Sequence, residues 1–327
     1  MTVVQESRYV HEALFYDSTE SLVQTALPFL TDGIGAGDDV VLVCGDETNA
    51  ALRTALGHDD QVSVLPRKDV YSRAPSAVES YRQLMRRRVA DGVGRVRLVA
   101  DVDFGTVPSR WQEWGRFEAV CNVVLDPYPL WSVCAYDTTA LSADVLAVGE
   151  RTHPFVRRGD RRSRNGRFLD PAEFMALSAA NTTRGPTPSH PLLSLPDVTD
   201  LPVAREVVRD ALSEIPSAQA WQDDFLLAIN EVITNAVAHG RAPVGVELWV
   251  TEDGAVCDVT DRGPGFDDPF AGYHAPEGVD GAPAYMGLWM ARQLTDELTT
   301  SRSARGFTVR LVLNGRSGGR RRLPTLP

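Results

Sequence analysis

Within the stretch EVITNAVAHG, Glu231, Asn235 and His239 recur every fourth residue. On a helix that spacing stacks three polar side chains along one face, drifting slowly about the axis. An amide and a carboxylate one turn apart suit magnesium–nucleotide chemistry. Asn235 offers a neutral oxygen to a Mg²⁺ ion that bridges phosphates and keeps several waters. Glu231 is near enough to take a proton from an attacking hydroxyl. Farther along, AVCDVTD ends in Asp261, which can accept a hydrogen bond from an amino group such as adenine's. Gly263 and Gly265, in DRGPGF, let the backbone approach a flat ring. Gly287 and Leu288 open a helix whose unpaired amides and positive dipole end favour phosphate. The glycine- and proline-rich loop between, residues 266–284, reads as a lid.

The elements that must position these residues follow from hydrophobic spacing. Phe225, Leu226, Ile229, Val232, Ile233, Ala236 and Val237 form an apolar stripe on a helix over 221–240. A helix over 201–215 precedes it. Strands over 244–250 and 255–261, a helix over 287–298 and a strand over 306–313 follow. Helices and antiparallel strands in this order predict an α/β sandwich with one sheet.

The first half has a different rhythm. Nearly all-apolar strands over 11–16, 39–45, 61–66, 96–104 and 130–137 alternate with helical patterns over 19–32, 46–57, 75–91 and 109–123. That alternation implies a mostly parallel sheet covered on both faces. VRLVAD ends in Asp101, as a magnesium-binding acid would in a phosphate-loop enzyme, but GxxxxGK[ST] occurs nowhere. Asp101 therefore reads as a turn cap at a strand end. His11 opens the first strand beside Glu12. A structural role, a contact to a sensed ligand and a phosphoacceptor are its three readings, and its place on a strand disfavours the last.

The bounds are consistent with two folded units. At 327 residues the chain exceeds one typical core. Its net charge of −11 argues against general binding to nucleic acid. No apolar run approaches a membrane span, and the opening MTVVQESRYVHEALFY lacks a signal-peptide pattern. Cys44, Cys121, Cys134 and Cys257 form no CxxC, which predicts reduced thiols in the cytoplasm rather than disulfides or a zinc site. RRGDRRSRNGR, residues 157–167, reads as a solvated connector, with a docking surface for an acidic partner as the minor alternative. A short helix over 169–181 and a Pro/Ser/Thr-rich linker come next, and GRSGGRRRLPTLP reads as a basic tail. The expected division is 1–165, a helix and linker over 166–194, a second domain over 195–316, and a tail over 317–327.

Two resemblances follow from these motifs. His11, Phe15, Tyr16, Pro28, Phe29, Leu30, Gly33 and Gly37 are placed as in the methanogen/methylotroph sensory (MEDS) domain, which implies a RecA-like sheet that senses a signal. Glu231-x-x-x-Asn235 and Asp261-x-Gly263-x-Gly265 resemble the N box and first glycine box of the GHKL (Bergerat) ATPases. EVITNAVAHG and GLWMARQLTDEL are most similar to the bacterial anti-sigma-factor serine kinases. That resemblance implies ATP and Mg²⁺, with Glu231 as general base, Asn235 as metal ligand and Asp261 reading adenine. Gly263, Gly265, Gly287 and Leu288 would shape the pocket. His239 joins it or merely ends the helix, where a cation suits the dipole, and Thr308 takes the place of a pocket threonine in the last strand. One departure stands out: Tyr285 occupies the position of the family's first lid glycine.

The implied function is a protein-serine kinase that phosphorylates or sequesters a STAS-type sigma-factor antagonist, or holds the sigma factor itself. A nucleotide-gated binding module without catalysis is the alternative. A sensor histidine kinase is a third reading, disfavoured because no long helix with a central histidine precedes residue 195. A homodimer is compatible with all three.

Overall fold

The computed structural model describes residues 9–57, 61–102, 104–105, 108–180, 187–215, 221–251, 254–273 and 286–314. The chain divides into Met1–Ser178 and Ala179–Pro327, each with its own sheet. Among the described residues no helix is long and apolar enough to cross a membrane.

In the first unit, β1 (Val10–Tyr16), β2 (Asp39–Val43), β3 (Val62–Val64), β4 (Val96–Ala100), β5 (Leu130–Asp137), β6 (Phe155–Arg158) and β7 (Arg161–Arg164) form one sheet in the order β3-β2-β4-β5-β1-β6-β7. Every pairing is parallel except β6 with β7. This is the RecA-like, mostly parallel sheet expected. Because strand side chains alternate in direction, Leu14, Leu42, Val99 and Val133 pack on one face with Leu22 and Phe29 of α1 (Thr19–Ala36) and Leu52 of α2 (Asp46–Leu56). On the other face, His11, Cys134 and Tyr136 meet α5 (Pro108–Val124). A short α3 (Arg67–Val70) leads into α4 (Ala74–Ala90), which packs on α5, and α6 (Ala143–Thr152) packs there too. Asp101 caps a turn as expected: both its oxygens accept from the Gly45 amide, and Arg67 donates to Oδ1 at 3.0 Å. β4 stops at Ala100, short of the expected 104.

The arginine-rich segment differs most from expectation. Residues 155–164 are a β6–β7 hairpin on the sheet edge, not a solvated connector. The physical reason is Glu12, fully buried on β1. Arg157 donates to its Oε2 at 2.7 Å, the Trp131 indole donates to Oε1 at 2.5 Å, and Arg162 stands 3.8 Å away. The Arg157 guanidinium also lies 5.0 Å from the Phe29 ring centre. The outer strand β7 is exposed along its length and carries three arginines, a charged edge that discourages pairing with another chain. α7 (Pro171–Ala180) follows.

The second unit has β8 (Leu193–Leu195), β9 (Gly245–Thr251), β10 (Gly254–Asp261), β11 (Glu297–Ser303) and β12 (Gly306–Asn314) in the order β11-β12-β10-β9-β8, all antiparallel. Its core joins Val246, Leu248, Cys257, Val259 and Leu311 of the sheet to α8 (Leu201–Ser213), α9 (Gln222–His239) and α10 (Met286–Leu294). This is the α/β sandwich expected. Three details change. Val237 is 43% exposed rather than in the buried stripe, and Trp221 and Ala228 are buried instead. α10 stops at Leu294, short of the expected 298. Glu297–Ser303, polar but rich in threonine and serine, adds an edge strand to β12.

Removing one member of a buried ion pair leaves the other unsatisfied, at a cost of about 3–5 kcal/mol. Arg157→Ala is expected to lower the stability of the first unit by about 3 kcal/mol, the low end because Arg162 remains near. The double variant Glu12→Gln/Arg157→Met is expected to lose clearly less. Calorimetric unfolding of the full chain checks both; an Arg157→Ala protein melting like the parent would contradict the role given to this pair.

Candidate nucleotide site

α9 places the acid and the amide. Its inner stripe, Phe225, Ile229, Val232, Ile233 and Ala236, is buried against the sheet. Glu231 and Asn235 fall on a half-buried flank. α10 crosses α9 so that Gly287 meets both. A β-carbon at Gly287 would stand 2.8 Å from Glu231 Oε2 and 2.9 Å from Asn235 Nδ2. Only a glycine brings the amide end of α10 this close to the pair.

Asp261 ends β10 just beyond the C-terminus of α9. Asn235 and Gly240 are five residues apart, about 7.5 Å at 1.5 Å per residue. Asp261 is buried, and its Oδ1 accepts from the amides of Gly263 at 2.5 Å and Arg241 at 3.2 Å. β-Carbons at Gly240 and Gly263 would lie 2.5 and 2.6 Å from Oδ1. Gly306, at φ +130°, would press one to 1.9 Å from the Asp261 carbonyl oxygen. Gly240 and Gly306 are the residues that motif reading missed. Their signal was faint: a helix-ending glycine, and a glycine opening the last strand.

The other expected residues divide. Gly265, at φ +65°, does lie against a flat ring, but the ring is Phe307, whose Cδ2 would be 2.3 Å from an added β-carbon. Leu288 is a core residue, 3% exposed and packed beneath Gly272. His239 is exposed at the end of α9, and Gly240 rather than His239 meets Asp261. Thr308 pairs with Thr260, hydroxyl to hydroxyl at 2.9 Å. It therefore lies on the sheet face opposite Asp261, and strand alternation turns Phe307 toward the helices instead. Thr308 does not join the site. The expected lid begins as packed structure: Ala271 and Tyr273 are buried, Arg292 donates to Ala271 O at 3.2 Å, and its guanidinium lies 4.0 Å from the Tyr273 ring centre. Tyr285, the rest of the lid and the basic tail lie outside the described residues.

These residues fit a magnesium nucleotide. Gly287 leaves a cradle that a β-carbon would fill, the oxygen donors suit a hard cation, and backbone amides hold one oxygen of a buried carboxylate.

In the first unit His11 is 1% exposed, too buried to serve as a phosphoacceptor. Its Nδ1 lies 3.1 Å from Asn122 Oδ1, and its Nε2 lies 3.2 Å from Glu118 Oε2 and 3.4 Å from Cys134 Sγ. His153, completely buried after α6, completes the group. Glu118, Asn122 and His153 carry no local sequence signal; they are far apart in the chain and meet only in the fold.

An antiparallel sheet under helices, with a polar helix face meeting a helix-opening glycine beside a glycine-ringed aspartate, defines a GHKL-type ATP-binding unit. A parallel-sheet unit of another architecture precedes it. Residues 195–313 match the family of the histidine kinase-like ATPase domain, and residues 10–154 match MEDS, the methanogen/methylotroph, DcmR sensory domain. The chain thus joins a MEDS sensory domain to a histidine kinase-like ATPase domain, the composition of a regulatory, ATP-binding, kinase-like protein. No curated protein matches it.

Two glycine substitutions separate pocket from scaffold. At Gly287 an added methyl group meets only side-chain ends, so Gly287→Ala is expected to keep the fold and weaken Mg²⁺–ATP affinity by about tenfold or more, about 1.4 kcal/mol. At Gly306 it meets backbone at a strained φ, so Gly306→Ala is expected to cost about 2–4 kcal/mol of stability. Titration calorimetry and thermal melts on both variants check this; equal loss of stability in the two would refute the distinction.

Proposed function

We propose that the ATPase-like unit is an anti-sigma-factor-type protein-serine kinase. In this reading a signal received by the MEDS unit governs its action on a STAS-type sigma-factor antagonist, which it phosphorylates or sequesters. The observation that carries the proposal is the approach of Gly287 to Glu231 and Asn235. It brings a proton acceptor, a neutral oxygen donor and the amide end of a helix to one place.

Bound Mg²⁺–ATP would supply the phosphoryl group and neutralise its developing charge. Phosphoryl transfer asks the protein chiefly for positioning and electrostatics, and the residues divide that work. Asn235 offers its side-chain oxygen to the metal without adding charge. Glu231, one turn earlier, takes the proton of the incoming serine hydroxyl. Asp261 has Oδ1 committed to two backbone amides, which presents Oδ2 to an exocyclic amino group. The α10 amides would hold the phosphates. A histidine kinase is disfavoured by a direct observation: no described helix before residue 195 contains a histidine.

Incubation of the full chain with labelled ATP, Mg²⁺ and a STAS-type antagonist is expected to label a serine of the antagonist. Glu231→Ala is expected to lower the rate by about 10²-fold or more. Asn235→Ala is expected to abolish Mg²⁺-dependent nucleotide binding. Antagonist capture that survives Glu231→Ala, with no transfer by the parent, would replace the kinase with a nucleotide-gated binding module. Unchanged nucleotide affinity in Asn235→Ala would refute the metal role.

A further inference from the structure

The group around His11 is a set of donor atoms aimed at one point. Asn122 Nδ2 donates to two carbonyls, Glu118 O at 3.0 Å and Thr152 O at 2.8 Å, which fixes its amide so that Oδ1 faces His11. An amide oxygen only accepts, so His11 Nδ1 carries the proton. His153 Nδ1 lies 2.9 Å from Gly149 O, so it too carries the proton. Thr152 Oγ1, 3.0 Å from that nitrogen, already donates to Val148 O. Both histidines therefore have their outer N–H tied to an acceptor, and both turn Nε2 inward. Metal-ligating histidines are held in this way.

Glu118 and Cys134 face the same point. Glu118 Oε1 accepts from Tyr136 at 3.2 Å, which leaves Oε2 toward the histidines. Oε2 lies 3.2 Å from His11 Nε2, 3.6 Å from His153 Nε2 and 4.0 Å from Cys134 Sγ. The four donor atoms all fall within 4.8 Å of one another. Tetrahedral bonds of about 2.0–2.3 Å put ligand atoms roughly 3.3–3.8 Å apart, close to most of these separations.

Hydrogen bonding alone leaves the group unfinished. A protonated His11 could satisfy Glu118, but His153 Nε2 would still be without a hydrogen-bond partner. The tautomer set by Gly149 O leaves His153 Nε2 without a proton. A bare nitrogen lone pair then faces a carboxylate oxygen, and both residues are fully buried. A divalent ion would satisfy both, and a thiolate and a carboxylate would balance its charge. His11, Glu118 and Cys134 also line a small cavity with Tyr9, Tyr71 and Tyr81.

We propose that His11, Glu118, Cys134 and His153 bind one divalent transition-metal ion of the Zn²⁺ or Fe²⁺ class inside the MEDS unit. Two imidazoles, a thiolate and a carboxylate select such ions over Mg²⁺ or Ca²⁺. The expectation that the cysteines serve no zinc site rested on the missing CxxC; here the fold supplies three partners for Cys134 from β1, α5 and the end of α6. The site stands apart from the kinase reading and survives its failure.

Cobalt titration of the chelator-stripped full chain tests the proposal, because a thiolate bound to Co²⁺ gives a near-ultraviolet charge-transfer band. Saturation at one equivalent with that band is expected. The band should vanish in Cys134→Ser, affinity should fall at least about tenfold in His153→Gln and Asn122→Leu, and Asn235→Ala should leave the titration unchanged. Zn²⁺ should raise the melting temperature of the parent. A parent protein without the band, or a band that persists in Cys134→Ser, would overturn the assignment. If the variants fail to fold, the parent's band and stoichiometry still decide.

Discussion

The nucleotide site depends on how tightly the backbone closes around Asp261. Gly240 ends α9, Gly263 follows β10 and Gly306 opens β12, and none of the three has room for a β-carbon. Three parts of the chain thus converge on one residue. The geometry fixes the height at which α9 crosses the sheet, since Gly240 must meet Asp261. It also sets Asn235 and Glu231 one and two turns back, where Gly287 can reach them. The apolar stripe of α9 supplies the burial that holds the helix down, but a stripe alone tolerates sliding. The contact at Asp261 does not.

Much of this was legible in the chain. The i, i+4 acid and amide, the strand ending in aspartate and the glycines at 263 and 287 each carry a local signal, because their chemistry is bound up with spacing along one element. Errors arose where a neighbouring strand decides. Thr308 has the right residue type in the right strand, but its register against Thr260 turns it to the wrong face. Gly265 has the expected conformation, yet the ring it accommodates belongs to Phe307. The β6–β7 hairpin was hidden because its arginines resemble a solvated run, and only the burial of Glu12 some 145 residues earlier gives Arg157 a reason to be inside.

Two buried glutamates in the sensory unit show how differently a carboxylate can be accommodated. Glu12 is answered from several sides by Arg157, Trp131 and Arg162, and nothing about it is left over. Glu118 accepts one hydrogen bond from Tyr136 and a long one from the Cys134 thiol, and otherwise faces two inward nitrogens. The first arrangement is self-sufficient and holds an edge hairpin to the sheet. The second has an unanswered nitrogen beside it. An unanswered group at the centre of a buried polar cluster costs stability that a hydrophobic replacement would recover. Its presence is therefore better explained by something that binds there than by the fold's own needs.

A signal in the first unit alters the second only by binding two of its arrangements with different affinity. The His11–Glu118–Cys134–His153 group is placed for such discrimination. It joins β1, α5, β5 and the junction where α6 gives way to β6. An occupant drawing four donors to bonding distance would add bonds between α5, the α6–β6 junction and the sheet to the apolar packing that already joins them. From that junction the chain passes directly through β6, β7 and α7 toward the ATPase-like unit.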